Sequence, residues 1–447
     1  MTLDHPNIVL IHCHDLGQHL GCYGADVETP AIDRLADEGV RFENAFCTAP
    51  QCSPARGSLL TGRMPHNNGL MGLSHRGWSL HDDEYALPQY LRDAGYQTVE
   101  YGIQHAGNSE RLGFEKRYPV LVFDDDFGKP WWPALGVAER FEETFEAELA
   151  RSEPFYAHIG FAEPHQPYRH PWVPEGAYDE YSADAVEVPD FLPDTHAVRK
   201  DISELNAVVS GTVDPAVKRI REVLADREVL SDTLVVFTSD HGLDLPRGKG
   251  MCYRAGTNVP LLFRHPDFES AECEDLVSHV DVLPTLLDLL DLDAEQPKPL
   301  DGRSVAGSLG VDEPYERRDR VFTEITWHGR YNPIRSIRTE TAAYHRSFTE
   351  SPLVYMPYLQ GRSARELFQK YYVPDRPMEQ LYDLESDPLE TENLAPGNSF
   401  NDGEGNLEDA DTPDLLVEMR DILRTKLEAD DDPLLDGPIP IPGQSGW

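Results

Sequence analysis

The sequence predicts an α/β protein: a mostly parallel central sheet flanked by helices, followed by a smaller C-terminal α+β domain. Three observations carry that prediction. Short β-rich runs at 7–12, 97–101, 155–161 and 233–238 are apolar almost throughout, the pattern of strands covered on both faces. Helical stretches separate them, which is the order of units in a parallel sheet. Each run ends in polar residues able to do chemistry, namely His14-Asp15, His105, His165 and Asp240-His241. Open α/β sheets build their sites at these carboxyl strand ends.

Taken in order, the run 7–12 is the first strand. Thr29-Pro30 opens a helix through Ile32, Leu35 and Ala36 that stops near Gly39, and 41–46 is a strand leading into the loop of Cys52. A helix at 86–94 precedes strand 97–101, and a helix at 138–151 precedes strand 155–161. A long helix at 215–225 precedes strand 233–238; 259–263 is a further strand and 280–290 a helix with a strong apolar face. Between 296 and 318 the chain becomes rich in Pro, Gly and charge, which places the domain boundary there: 1–310 and 319–447. The second part offers strands at 320–326 and 334–339 and a helix at 413–428. From about 430 a Pro- and Gly-rich stretch reads as an arm or loose tail.

The chain has 447 residues, ample for a large and a small domain, with 80 Asp plus Glu against 39 Lys plus Arg and a net charge of −41. Such a surface repels nucleic acid and anionic membranes, which excludes both as expected partners. The acidity is spread among well-patterned apolar segments, so it is read as a salt-adapted, halophile-type surface and not as disorder. No apolar run is long enough to span a bilayer. The start of the chain shows no export signal, and the six cysteines (13, 22, 47, 52, 252 and 273) show no disulfide spacing. A reducing cytoplasm is the expected location.

The most informative stretch is Cys52-Ser53-Pro54-Ala55-Arg56-Gly57-Ser58-Leu59-Leu60-Thr61-Gly62-Arg63. Ser53 and Pro54 are read as cap and first residue of a helix, with Cys52 just before its N-terminus. Free N–H groups and the helix dipole there favour an anion and should acidify a thiol, and Arg56 lies one turn on.

These residues carry a resemblance. The pattern C-x-P-x-R-x-x-L-x-T-G-R resembles the signature of the sulfatases, in the alkaline phosphatase superfamily. The resemblance implies an alkaline phosphatase-like fold and maturation of Cys52 to formylglycine by a formylglycine-generating enzyme, with Arg56 steadying it. It also implies a divalent metal held by His14, Asp15, Asp240, His241 and residue 52. Calcium is the family expectation, but His14 and His241 make manganese or zinc nearly as good, because imidazole suits transition metals. His105 falls on the His of the family's G-K-x-H motif, here Gly102-Ile103-Gln104-His105. Ile103 replaces the sulfate-binding Lys, with Gln104 offered as a neutral hydrogen-bond substitute. His165 matches the candidate acid for the leaving group and Lys249 a sulfate-binding Lys.

The similarity is greatest to the heparan N-sulfatase-like sulfamidases, through Leu20-Gly21-Cys22-Tyr23, the stretch 65–73 and Tyr331-Asn332-Pro333-Ile334-Arg335-Ser336. It extends to the stretch 381–395, which matches the C-terminal L-Y-D-L-x-x-D-P-x-E-x-x-N-L. It makes His328 and Arg335 candidates for substrate contact. The implied activity is hydrolysis of a sulfate ester or N-sulfate of a small sulfated substrate, such as a sulfated sugar. A phosphonate or phosphate ester hydrolase on the same scaffold, and a non-catalytic binder with unconverted Cys52, stand as alternatives.

Overall fold

The computed structural model describes residues 3–119, 122–124, 129–131, 133–149, 153–174, 176–292, 297–310, 315–349, 361–367, 377–395 and 413–443. Its strands in chain order are β1 (Asn7–Cys13), β2 (Val40–Phe46), β3 (Gln97–Gly102), β4 (Lys116–Tyr118), a short hairpin β5 (Val122–Asp124) and β6 (Lys129–Trp131), β7 (Phe155–Gly160), β8 (Thr233–Ser239), β9 (Leu261–Arg264) and β10 (Ala271–Ser278). Eight of them form one sheet in the order β10-β2-β9-β8-β1-β7-β3-β4. Only β9 runs antiparallel to its neighbours. The apolar run of β1 is explained by its central place: Val9 and Ile11 enter the core on one face, Ile8 and Leu10 the core on the other. Burial of each such side chain is worth roughly 2 kcal/mol.

The expected mostly parallel, helix-flanked sheet is present, with differences that have physical causes. The helix expected at 138–151 begins earlier, at Ala134, and runs to Glu148. Its first N–H is capped from far along the chain, because the buried Glu163 carboxylate accepts from Ala134 N at 2.9 Å. Residues 150–152 lie outside the described set. The helix expected at 215–225 is Asp214–Asp226, and it continues an unpredicted helix, His196–Val208, through a wide turn at Val209–Val213. Val208, Val209, Thr212 and Val213 are β-branched and mask that continuity. Strand β10 was not expected either, since Glu272, Glu274 and Asp275 obscure it. It is an edge strand exposed along its first half and buried along its second.

A second sheet of β11 (Val321–Trp327), β12 (Tyr331–Arg338), β13 (Ala342–Ser347) and β14 (Glu379–Asp383) is antiparallel in that order. The helix Asp414–Ala429 lays Leu416, Met419 and Leu423 against Ile337, Tyr344 and Leu381 of this sheet. Within 381–395, Asn393 Oδ1 accepts from Leu381 N at 2.9 Å and Asp387 Oδ2 from Thr391 N at 2.7 Å, so these polar residues close a turn onto β14. The first strand of this sheet is stitched to the loops around Cys52: Glu324 N donates to the Thr48 carbonyl at 2.8 Å and Trp327 N to the Met71 carbonyl at 3.2 Å.

The stretch after 430 is not loose. Asp432 and Ile439 are buried, and Trp327 Nε1 donates to the Ile439 carbonyl at 2.8 Å. Residues 444–447 lie outside the described set. No helix among the described residues is long and apolar enough to cross a membrane.

Candidate active site

Strand register assembles the site. The last pair of the β1–β8 ladder is Cys13 with Ser239, so His14-Asp15 and Asp240-His241 leave the sheet side by side. The β1–β7 and β3–β7 ladders bring in the ends that carry His165 and His105. Gly242 lets the second loop pass tightly: a Cβ there would lie 1.9 Å from the Ala255 carbonyl oxygen. Asp240 Oδ1 accepts from the backbone N–H groups of Asp15 and His241, each at 2.9 Å. Its Oδ2 accepts from Arg56 Nε at 3.0 Å and lies 2.9 Å from Arg56 Nη2. Burial alone would raise the Asp240 carboxyl, but His241, Arg56 and His14 hold it well below the usual carboxylate range.

Cys52 is the first residue of the helix Cys52–Thr61, every residue of which is buried. Ser53 does not cap that helix. Its hydroxyl accepts from Ser74 N at 3.1 Å instead. Nor is the thiol acidified. Cys52 is 4% exposed, and burial pushes its pKa well up; Lys249 opposes this, while Asp240 and Asp15 add to it. The dipole of a helix start is outweighed by desolvation and two carboxylates. Arg56, 1% exposed, is likewise committed inward, to Asp240 and to the carbonyls of Ile103 and Cys13 at 3.4 Å.

Lys249 is buried, its loop held by Gly250 N donating to the Pro50 carbonyl at 2.8 Å. Its ammonium donates to Asp15 Oδ2 at 2.7 Å and lies 3.2 Å from His165 Nε2 and 3.7 Å from Asp244 Oδ2. His165 Nδ1 donates to the Gln166 carbonyl at 2.6 Å, which leaves Nε2 as the acceptor facing Lys249. Burial and Lys249 bring the His165 pKa down to about 3. The His105 ring lies 5.9 Å from that of His14, and burial, then His14 and Arg56, lower its pKa well below the usual value.

Two expectations are corrected. Gln104 offers no hydrogen bond to a sulfate: its amide donates to the Gly107 carbonyl and accepts from Ala106 N, closing its own loop. Arg335 does not reach the site. Its guanidinium pairs with Asp432 at 2.7 and 3.1 Å and donates to the carbonyls of Ile325 and Ile334 and to Thr326 Oγ1. His328, by contrast, sits over the Lys249 loop: a Cβ on Gly250 would lie 3.3 Å from its Nδ1. Asp244 and His75 reach the cluster without having been singled out. The Asp244 carboxyl is pushed up to about 7 by burial, with Lys249 opposing. Its signal was a second acid, after Asp240, in the loop 240–249.

The donor set fits a divalent metal. One ligand atom each from His14, Asp15, Cys52 and Asp240 lies within 4.8 Å of the others. His14 Nδ1 and Asp15 Oδ1 are buried without a hydrogen-bond partner, a costly state that a cation at this point would relieve. His14 Nδ1 lies 3.2 Å from Asp240 Oδ2 without hydrogen-bond geometry. His241 stands beside them: its Nδ1 donates to the Gly242 carbonyl at 2.9 Å, and its Nε2 is 3.2 Å from Asp15 Oδ1 and 3.5 Å from Cys52 Sγ. The mixture of imidazole and carboxylate suits manganese or zinc as well as calcium.

A family model described as Sulfatase matches residues 6–292. The chain belongs to the sulfatase family. Among curated relatives, the human N-sulphoglucosamine sulphohydrolase is 30% identical to this sulfatase over 451 residues, covering 87% of this chain and 86% of that protein. A solved structure from work on glycosaminoglycan metabolism by Bacteroides thetaiotaomicron superposes with a TM-score of 0.75 at 22% identity, covering 98% of this chain and 100% of that one. The phosphonate monoester hydrolase of Agrobacterium radiobacter shares the fold at a TM-score of 0.70 and 21% identity, with 95% of each chain covered. The chain thus shares its fold with solved sulfatases, and the sulfatase is a hydrolase by family.

Proposed function

We propose that this sulfatase hydrolyses the sulfate ester or N-sulfate of a small sulfated substrate, in particular a sulfated sugar. Residue 52 is matured from Cys52 to formylglycine by a formylglycine-generating enzyme. The observation that carries this reading is the place of Cys52: buried in the first turn of a helix, within 4.8 Å of the ligand atoms of His14, Asp15 and Asp240. The human relative, named for an N-sulfated glucosamine, supports a sugar N-sulfate. The net charge of −41 favours a small substrate over a densely sulfated polymer.

His14, Asp15, Asp240 and residue 52 would hold the metal, with His241 beside them; a divalent cation supplies Lewis-acid charge for a sulfate oxygen. Formylglycine supplies a hydrated aldehyde whose hydroxyl is a nucleophile. Arg56 acts through Asp240, fixing that carboxylate in place. Lys249 carries buried positive charge beside the centre, where it offsets the charge of the sulfate oxygens. His165 orients Lys249 through Nε2, and both of its nitrogens are engaged. His105, with Nδ1 unpartnered, is the better-placed proton carrier.

Mass spectrometry of the Cys52 peptide, from a host with the converting enzyme, tests the reading. Formylglycine makes that peptide about 18 Da lighter, and the same protein turns over 4-nitrophenyl sulfate while Cys52→Ala does not. An intact thiol without turnover would leave a binder of this fold. Phosphonate or phosphate ester hydrolysis is a second reading, favoured by His241 beside Cys52 and by Ile103 without a charge. Turnover of an aryl phosphonate but not of the sulfate would establish it.

A further inference from the structure

The turn Ser74–Arg76 takes part in no step described above, yet it is fastened at the site from two sides. Ser74 N donates to Ser53 Oγ, one residue beyond Cys52, at 3.1 Å. Ser74 Oγ donates to the His105 carbonyl at 3.3 Å. These bonds lay the exposed His75 ring against the His105 ring, with centroids 5.6 Å apart and planes within 4°. His75 Nδ1 lies 3.4 Å from His105 Nε2.

Two further features mark His105. Its φ of +55° is a conformation that residues other than glycine seldom adopt. Its Nδ1 is buried without a hydrogen-bond partner. Both destabilise the fold, and features of this kind persist where a site needs them. The two nitrogens of an imidazole are linked: whatever bonds one decides whether the other carries a proton.

We propose that His75 is a positioning residue for the reaction. By bonding Nε2 of His105 it fixes the tautomer and tilt of that ring, so that Nδ1 faces the reacting atoms. The inference rests on the sulfatase reading above, in which His105 carries a proton. His75 touches no substrate; it acts through its neighbour.

Wild type, His75→Ala and His75→Asn decide it, because the Asn amide reaches where Nδ1 stood. With 4-nitrophenyl sulfate, His75→Ala lowers kcat about tenfold, leaves KM within about twofold and leaves the melting temperature unchanged. His75→Asn regains most of that loss. Nitrogen NMR of the His105 ring finds one tautomer in wild type and His75→Asn, and an average of two in His75→Ala. An unchanged kcat in His75→Ala overturns the proposal. So does a KM that rises as kcat falls, a fall in melting temperature shared by both variants, an Asn variant no better than Ala, or a tautomer indifferent to residue 75. A wild type that leaves aryl sulfates untouched would sink the sulfatase reading instead, and the ring spectra would still decide the role of His75.

Discussion

Replacing His66 with Gln tests the charge at the junction of the two sheets. His66 lies on the turn Pro65–Asn68, just after the Cys52 helix, and is 8% exposed. Glu324 of β11 bonds its Nδ1, and Asp430 lies 3.1 Å from its Nε2; Asp432 stands near, paired with Arg335. Burial alone would lower its pKa, but Glu324 and Asp430 outweigh that and push the ring up to about 9. A ring that titrates near 9 folded and near 6.5 unfolded contributes about 3 kcal/mol of stability while charged. Because the folded pKa is the raised one, the contribution is complete below 6.5, declines as pH rises from there to 9, and is gone above 9. Urea denaturation of wild type and His66→Gln at about pH 6 and about pH 9.5 measures it, since other titrations cancel in the difference. The gap between the two proteins should shrink by about 3 kcal/mol over that interval. A gap that is the same at both pH values would refute the charged His66.

Four other outcomes are expected. Arg56→Met strands the buried Asp240 carboxylate and should cost about 3 kcal/mol in urea denaturation, and adding Asp240→Asn should recover at least half of it. His14→Asp should shift metal preference from manganese toward calcium about tenfold by calorimetry, as an oxygen replaces the imidazole nitrogen. Gln104→Ala should lower stability by about 1 kcal/mol while KM for an aryl sulfate stays unchanged, because the amide serves its loop and not the substrate. With a net charge of −41, the melting temperature should climb between about 0.1 M and about 2 M KCl as the screening length falls; a flat profile would discard the salt-adapted surface.

The fold was legible where one local rule decided it. The apolar runs of β1, β7 and β8 announced buried parallel strands, and the polar residues at their ends announced where a site would gather. Signals that depend on distant partners were not legible. The start of the helix at Ala134 is set by Glu163, twenty-nine positions away. The inward commitment of Arg335 is set by Asp432, ninety-seven positions away. Cys52 shows the same limit in the site: a helix start predicts an acidic thiol, but only the folded chain reveals that Asp15, Asp240 and complete burial reverse the sign. His75 had no periodicity or motif to mark it, and only the stacking on His105 brings it into view.

The bond between His66 and Asp430 spans 364 positions of the chain. During synthesis, at 5–20 residues per second, roughly 20 to 70 s separate the emergence of its two ends. The turn that follows the Cys52 helix therefore waits for residue 430 to be made before Asp430 reaches it. Through that interval the stretch 52–63 is translated while His66, just beyond it, still lacks Asp430 and, for most of that time, Glu324. Under the maturation proposed for Cys52, a converting enzyme would have that interval in which to act before Asp430 and Asp432 arrive.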